Sequence, residues 1–121
     1  MKYNYGLVTI ATVNFENLVN FYIQFLAQEP DKFIPKVYAE FQIANLCLGI
    51  FKPKKNNEAE FTTNNKSSLS LCLEVNDLKS AIAQITKLGY PPPGEIQTAS
   101  HGQEIYVYDP DGNRLILHQS H

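Results

Sequence analysis

Seven polar side chains in this sequence have the chemistry to hold a small molecule through oriented hydrogen bonds. They are Thr9, Ser70, Glu74, His101, Tyr106, Arg114 and His118. All but His101 lie in stretches where polar and aliphatic residues alternate, so a β-strand would turn the polar ones to one face. Glu74 and His118 are also of the types that act as general bases. The set predicts a small-molecule site with a few polar anchors.

Each of these residues also has a structural explanation, which the sequence favours when they are taken one at a time. Glu74 and Arg114 fit an ion pair across adjacent strands, and a histidine placed like His118 is typically solvated. His101 precedes Gly102, where a loop histidine fits either stacking on a ligand or no function.

Nucleophilic catalysis finds no support in the residue pattern. Ser100 and His101 are adjacent rather than facing, and no GxSxG motif is present. Cys47 and Cys72 lie in apolar stretches without a nearby histidine in sequence. We expect both to be buried free thiols, which fits a reducing compartment.

The elements that position these residues form a strand-then-helix pattern that occurs twice. Residues 7–13 (LVTIATV) form a strand-like run that ends at Asn14, a good helix N-cap. Residues 69–75 (LSLCLEV) repeat the run, and Asn76 or Asp77 caps the second helix. Helical spacing follows each cap. The two apolar stripes are Phe15, Leu18, Val19, Tyr22, Phe25 and Leu26, then Leu78, Ala81, Ile82, Ile85 and Leu88.

Three short strand-like segments follow each helix. They are residues 32–36, 38–43 and 46–51, then 95–98, 103–108 and 114–119. The fold class is therefore α+β: two βαβββ repeats forming a cupped mixed β-sheet with helices on the outer face. Repeat one covers about 4–53, a polar linker about 54–67 and repeat two about 68–120, and we expect one domain over 1–121.

Bulk composition excludes several classes of partner. The chain has 121 residues, 44% hydrophobic and 18% charged, with a net charge of −2. That charge gives no basic surface for nucleic acid or an anionic membrane. No apolar run reaches a membrane span, and the N-terminal stretch has no cleavage site of a signal peptide. The expected location is the cytoplasm.

The sequence DPDGN, Asp109 to Asn113, lies between two strand patterns. Pro110 and Gly112 favour a tight turn, whereas a calcium loop would need an acidic residue further on, where a strand is predicted. The surrounding QEIYVYDPDGNRLIL closely resembles the final hairpin of the vicinal oxygen chelate superfamily. VNDLKSAIAQITKLG and NFENLVNFYIQFL resemble its two helices, in the right order. The superfamily includes glyoxalase I, extradiol dioxygenases, fosfomycin-modifying enzymes and antibiotic-sequestering proteins, so the fold alone does not decide function.

The resemblance implies four metal-ligand positions, mostly His and Glu in metal-dependent members. They fall on Leu7, near Leu48, on Ser70 and on Ile116. Three of these side chains have no lone pair, and a hydroxyl alone is a weak ligand, so we expect no metal and no cofactor. The resemblance also implies a homodimer.

The favoured hypothesis is a glyoxalase/bleomycin-resistance-like protein that lacks the metal ligands and binds a small, partly aromatic organic molecule. One alternative is a metal-independent lyase or isomerase-type enzyme with Glu74 or His118 as base. Another is a metal-dependent glyoxalase- or dioxygenase-like enzyme, if the ligand alignment is wrong. A structural module with a filled interior is the last. No catalytic residue is assigned, and an enzyme is the less favoured class.

Overall fold

The computed structural model describes residues 1–62 and 67–121. The chain divides into two compact units, Met1–Asn64 and Asn65–His121. The boundary between the units lies within the predicted linker, 54–67. Each unit carries one of the two predicted repeats.

The first unit is a four-stranded mixed sheet with one long helix. Its elements are β1 (Val8–Ala11), α1 (Phe15–Leu26), β2 (Lys32–Ile34), β3 (Tyr38–Ile43) and β4 (Leu46–Phe51), followed by a 3₁₀ turn (Lys55–Asn57) and the short α2 (Glu58–Phe61). The strand order is β1-β4-β3-β2. β1 runs parallel to β4, and the other pairs are antiparallel.

The second unit repeats this architecture. Its elements are β5 (Leu71–Glu74), α3 (Leu78–Lys87), β6 (Gln97–Ala99), β7 (Gly102–Tyr108) and β8 (Arg114–Ser120). The order is β5-β8-β7-β6, again with the first and last strands parallel and the others antiparallel. The α+β fold of two βαβββ repeats is confirmed.

The predicted connection between the repeats contains helical turns that its polar composition did not reveal. Phe61, at the end of α2, meets Phe51 edge-on, with ring centroids 5.3 Å apart. An aromatic pair of this kind stabilises a short helix that its own sequence would not. The predicted residue bounds of β3 and β4 agree with the structure, whereas β1 and β5 are shorter than predicted.

α1 begins where the sequence predicts, but its N-cap acts differently. The Asn14 side chain makes no capping hydrogen bond; instead the Asn14 amide donates to Thr12 Oγ1 at 3.0 Å. The predicted stripe is buried except for Leu26, and Phe21 is buried as well, edge-on to Tyr22 at 5.1 Å. In the two described stretches of the chain, no helix has the length and hydropathy needed to cross a membrane.

α3 is capped by Asp77, one of the two residues predicted for this role. Its carboxylate accepts from the Ser80 amide at 3.2 Å and from the Ser80 hydroxyl at 2.8 Å. These bonds, the hydroxyl's first, lower the pKa of Asp77. Leu78 and Ile85 are buried beneath the helix, and Gly89 has the left-handed φ of 101° that follows its end.

The DPDGN turn is held by the buried Asp109 carboxylate, which is 3% exposed. Its Oδ1 accepts from the amides of Asp111 and Asn113, each at 2.9 Å, and its Oδ2 accepts from Asn113 Nδ2 at 2.8 Å. Gly112 takes a left-handed φ of 87°. The predicted structural turn is confirmed.

The prediction that both thiols are buried is wrong. Cys47 is half-buried and Cys72 is exposed, and both are free. Cys72 alternates with the aliphatic residues Leu71 and Leu73, so it points away from the face that α3 covers.

Candidate functional site

β8 is the strand on which the candidate site is built. It lies between β5 and β7, and its side chains alternate between two faces. Leu115 and Leu117 are fully buried on one face. The same face turns Gln119 towards α3, where its Oε1 accepts from the Leu78 amide at 2.7 Å. We call the opposite face, away from α3, the open face.

The strand register sorts the open face into three cross-strand rows, each about 7 Å from the next because they are two residues apart along β8. The arginine row is Ser70, Arg114 and Tyr108; the apolar row is Cys72, Ile116 and Tyr106; the histidine row is Glu74, His118 and Glu104. The structure thus brings together five of the seven predicted site residues on one sheet face.

Arg114 is held in place by groups that precede β5. Its Nε donates to Ser70 Oγ at 2.7 Å, and its Nη2 donates to the carbonyl oxygen of Ser67 at 2.5 Å. A guanidinium has five N–H donors, so these bonds leave capacity for an anionic ligand. The predicted structural alternative, an ion pair between Arg114 and Glu74, is wrong because the register sets Glu74 opposite His118.

Glu74 and His118 form a short polar contact across β5 and β8. His118 Nδ1 and Glu74 Oε1 are 2.6 Å apart, and Glu74 Oε2 accepts from the Ser120 amide at 2.7 Å. The bond from His118, then that from Ser120, lowers the pKa of Glu74. An ionised carboxylate only accepts, so Nδ1 carries the proton of this bond.

His118 is buried rather than solvated, contrary to the structural role predicted for it. It is 7% exposed, and its Nε2 has no hydrogen-bond partner among residues 1–62 and 67–121. His101 stacks on it, with ring centroids 4.8 Å apart and planes 21° from parallel. A buried ring nitrogen without a partner in the described chain can accept a hydrogen bond from a ligand or bind a metal ion.

The approach of β7 to His118 depends on Gly102. A Cβ at this position would lie 2.2 Å from the carbonyl oxygen of Gln119 and 3.0 Å from His118 Cε1. Only a glycine lets the strand pass this close, and the preceding His101 is thereby placed over the imidazole of His118.

Thr9 is the one of the seven predicted site residues that lies in the first unit. It is exposed on β1, opposite Gly49. Beside it Tyr38 donates to Glu40 Oε1 at 2.6 Å. Burial, then this bond, raises the pKa of Tyr38 to about 12, and the same bond lowers the pKa of Glu40.

The four ligand positions implied by the resemblance do not fit a metal. Leu48 is wrongly assigned, because it is fully buried on the helix-covered face of β4. The register of β1 with β4 and of β5 with β8 makes Gly49 the equivalent of Ile116. Leu7, Gly49, Ser70 and Ile116 supply one hydroxyl among four positions, so a metal would find no adequate donor set there.

Glu104 lies in the histidine row but is not among the seven residues that the sequence predicts. It stands opposite His118 on β7, between Gln103 and Ile105. The alternation that assigned Tyr106 to the open face also assigns Glu104, two residues earlier, so the signal was present.

Cys72 is not prepared to act as a nucleophile. Partial desolvation of the sulfur, then the carboxylates of Glu104 and Glu74, raises the pKa of its thiol. The thiol is therefore protonated at neutral pH, when thiolate would be needed for attack.

Comparison with known proteins identifies the fold but gives no sequence family. No protein-family model matches this sequence, and no curated protein matches it. Solved structures do match. The glyoxalase-related enzyme from Fulvimarina pelagi superposes with a TM-score of 0.74 at 18% identity, over 97% of this chain and 88% of that one.

Two further structures extend the likeness. A glyoxalase/bleomycin resistance protein from Catenulispora acidiphila has a TM-score of 0.69 at 18% identity, over 95% of this chain and 96% of that one. The fosfomycin resistance protein FosX from Listeria monocytogenes, in complex with Mn(II) and sulfate, has a TM-score of 0.76 at 17% identity, over 100% and 93%. This chain therefore has the fold of the vicinal oxygen chelate superfamily, as its hairpin and helix sequences predict.

Proposed function

We propose that this protein binds a small, partly aromatic organic molecule with an anionic group on the open face of the second unit. The observation that carries the proposal is the apolar row, which is bounded on both sides by polar rows. Tyr106 is 39% exposed in the middle of a sheet whose other face is covered by α3. An apolar platform with polar groups at its two ends is typical of a small-molecule site.

The three rows determine how the ligand is oriented on the sheet. An aromatic ring on Tyr106 and Ile116 would set its anionic substituent about 7 Å away, over the guanidinium of Arg114. Ser70 and the Ser67 carbonyl orient that guanidinium before a ligand arrives, which reduces the entropy lost on binding. Two of the four metal positions of the resemblance take part without a metal: Ile116 as an apolar contact and Ser70 as a hydrogen-bond partner of Arg114.

The test is binding of a panel of aromatic carboxylates and phosphonates, beginning with benzoate and phenylphosphonate. Their affinity is measured by NMR titration of the ¹⁵N-labelled protein. Arg114→Gln should weaken binding about 10-fold or more, since bonds to charged groups contribute about 1.5–3 kcal/mol. Tyr106→Ala should weaken it about 5-fold through lost stacking.

Lys87→Ala is the matched control, because Lys87 is an exposed cation in the last turn of α3. It should bind each compound as the wild type does. No shift of β7 or β8 resonances with any compound would sink the proposal. Equal weakening by Arg114→Gln and Lys87→Ala would also sink it, since the effect would then be one of net charge.

A second candidate is a metal-independent lyase or isomerase-type enzyme, which the Glu74–His118 pair favours. An imidazole whose Nδ1–H is bound to a carboxylate presents Nε2 as a general base. Under this hypothesis, His118→Ala abolishes turnover of a bound compound while its affinity for the protein persists. Turnover that survives the substitution would exclude the base role.

Two expectations from the sequence accompany the proposal: a cytoplasmic protein and a homodimer. The free cysteines agree with a reducing compartment. A mass of 13.7 kDa by light scattering at micromolar concentration, the mass of one chain, would contradict the dimer.

A further inference from the structure

We propose that His101, Glu104 and His118 form a site for a divalent transition-metal ion of the zinc class. Their ligand atoms, two imidazole nitrogens and a carboxylate oxygen, lie within 4.8 Å of one another. All three are away from the four positions that the resemblance implies for metal. The site is independent of the proposed ligand platform, which lies on the neighbouring rows.

The state of His118 is the first reason for the assignment. Its Nδ1 is bound to Glu74, and its Nε2 is buried without a partner among the described residues. Metal-binding histidines show this arrangement: a carboxylate holds one ring nitrogen, fixes the tautomer and leaves the other nitrogen's lone pair for the metal. Glu74 is in turn fixed by the Ser120 amide.

The other two ligands can reach the same point. Glu104 stands directly opposite His118 on β7, and the exposed His101 stacks on the His118 ring. Tetrahedral zinc with bonds of about 2.1 Å sets its ligands about 3.4 Å apart. The three atoms therefore close by up to about 1.4 Å on binding. The exposed His101 side chain rotates out of its stacked position to direct a ring nitrogen at the ion.

Charge also favours a cation here. Glu74 and Glu104 place two carboxylates in the histidine row. Arg114 is four residues from His118 along β8, about 13 Å, too far to neutralise them at short range. A divalent ion between the two histidines would balance both carboxylates.

The donor set indicates which ion. Two imidazoles and one carboxylate favour Zn²⁺, Co²⁺ or Ni²⁺ over Mg²⁺ and Ca²⁺, which prefer oxygen ligands. Three protein ligands leave a coordination position open for water or another molecule.

The test is calorimetric titration with ZnCl₂, in a Cys47→Ser/Cys72→Ser background that removes thiol binding. One Zn²⁺ per chain is expected, with Mg²⁺ failing to compete. His118→Ala and His101→Ala should each weaken binding by more than about 100-fold, because losing a ligand costs more than losing an outer-shell partner. Glu104→Gln should weaken it as well, and Glu74→Gln about 10-fold.

His121→Ala is the matched control, since it removes the imidazole of the third histidine but keeps the backbone amide that donates to the His101 carbonyl oxygen. It should leave Zn²⁺ affinity unchanged, as should Arg114→Gln, which separates this proposal from the ligand platform. Far-UV circular dichroism checks the fold of each variant. If His118→Ala fails to fold, His101→Ala decides, because its side chain is exposed.

Two outcomes would overturn the site. One is the lack of stoichiometric Zn²⁺ or Co²⁺ binding at micromolar concentration. The other is binding that His101→Ala and Glu104→Gln leave unchanged.

Discussion

The turn between β7 and β8 offers a quantitative test, because one carboxylate accepts three of the hydrogen bonds that hold it. Asp109 accepts from the amides of Asp111 and Asn113 and from the Asn113 side chain. This turn sets the register that brings Glu104 opposite His118. Replacing Asp109 therefore perturbs both stability and the candidate site.

The magnitude follows from the bonds lost. Asp109→Ala removes at least three hydrogen bonds to a carboxylate, each worth about 1.5–3 kcal/mol for a charged acceptor. Bonds that share one acceptor do not add, so we expect a loss of about 3 kcal/mol. Asp109→Asn can keep an oxygen that accepts from the two backbone amides. Its NH₂ group then faces the NH₂ group of Asn113, so that bond is lost and the free energy of unfolding should fall by about 1.5 kcal/mol.

In the double variant Asp109→Asn/Asn113→Asp, the side chain at 109 donates to the carboxylate at 113, which restores the bond in the opposite direction. It should recover at least about half of what Asp109→Asn loses, as a coupling between neighbours. Asp111→Ala is the control, because the bond of Asp111 to Asp109 comes from its backbone amide, which alanine keeps. The exposed Asp111 side chain should contribute little.

Urea unfolding followed by circular dichroism measures these differences. With an m value of about 2 kcal/mol/M, a loss of 3 kcal/mol lowers the midpoint by about 1.5 M. A shift below about 0.5 M for Asp109→Ala would refute the role of the carboxylate. So would a double variant no more stable than Asp109→Asn.

Three further results are expected. Gly102→Ala should lower the free energy of unfolding by about 1–3 kcal/mol through overpacking against β8. Gly94→Ala is the control, because its Cβ would meet nothing within 4 Å. Equal urea midpoints for the two variants would contradict this. Asp77→Ala should lower the melting temperature at pH 7. Because the folded pKa of Asp77 is lowered, its stabilisation is complete above the unfolded pKa and is lost as pH falls through the folded one. The difference from wild type should therefore shrink as the pH falls below about 5, and a difference that stays constant into acid would count against this role of Asp77. Leu115→Ala should lower the free energy of unfolding by about 2–5 kcal/mol, because Leu115 is fully buried. Ile116→Ala should lower it by less than half as much, because Ile116 is only half-buried. Similar losses would mean that the two faces of β8 are misassigned.

Local patterns in the sequence predicted most of the fold. Helical spacing from Phe15 and the cap at Asp77 locate α1 and α3, and the DPDGN turn locates the last hairpin. α2 escaped prediction because its contact with Phe51 is tertiary.

The candidate site was only partly predictable, because alternation gives the face of a residue but not its partner. Placing Glu74 and His118 on one face followed from period two. Glu74 pairs with His118 rather than with Arg114 because of the parallel register of β5 and β8. No local sequence pattern encodes that register. The same limit explains the position predicted near Leu48: the parallel register of β1 with β4 places it one residue later, at Gly49.

The central place of β8 in its sheet has a consequence for how the second unit folds. β8 is the last strand of that unit in chain order, yet it is the one strand that β5 pairs with among residues 1–62 and 67–121. The contact from Glu74 to His118 spans 44 residues, so closing it carries a large loop entropy. Until then β5 is an unpaired strand of alternating aliphatic residues, the kind that pairs with other chains. Slow docking of β8 should therefore limit the folding rate, and self-association should compete with folding as protein concentration rises.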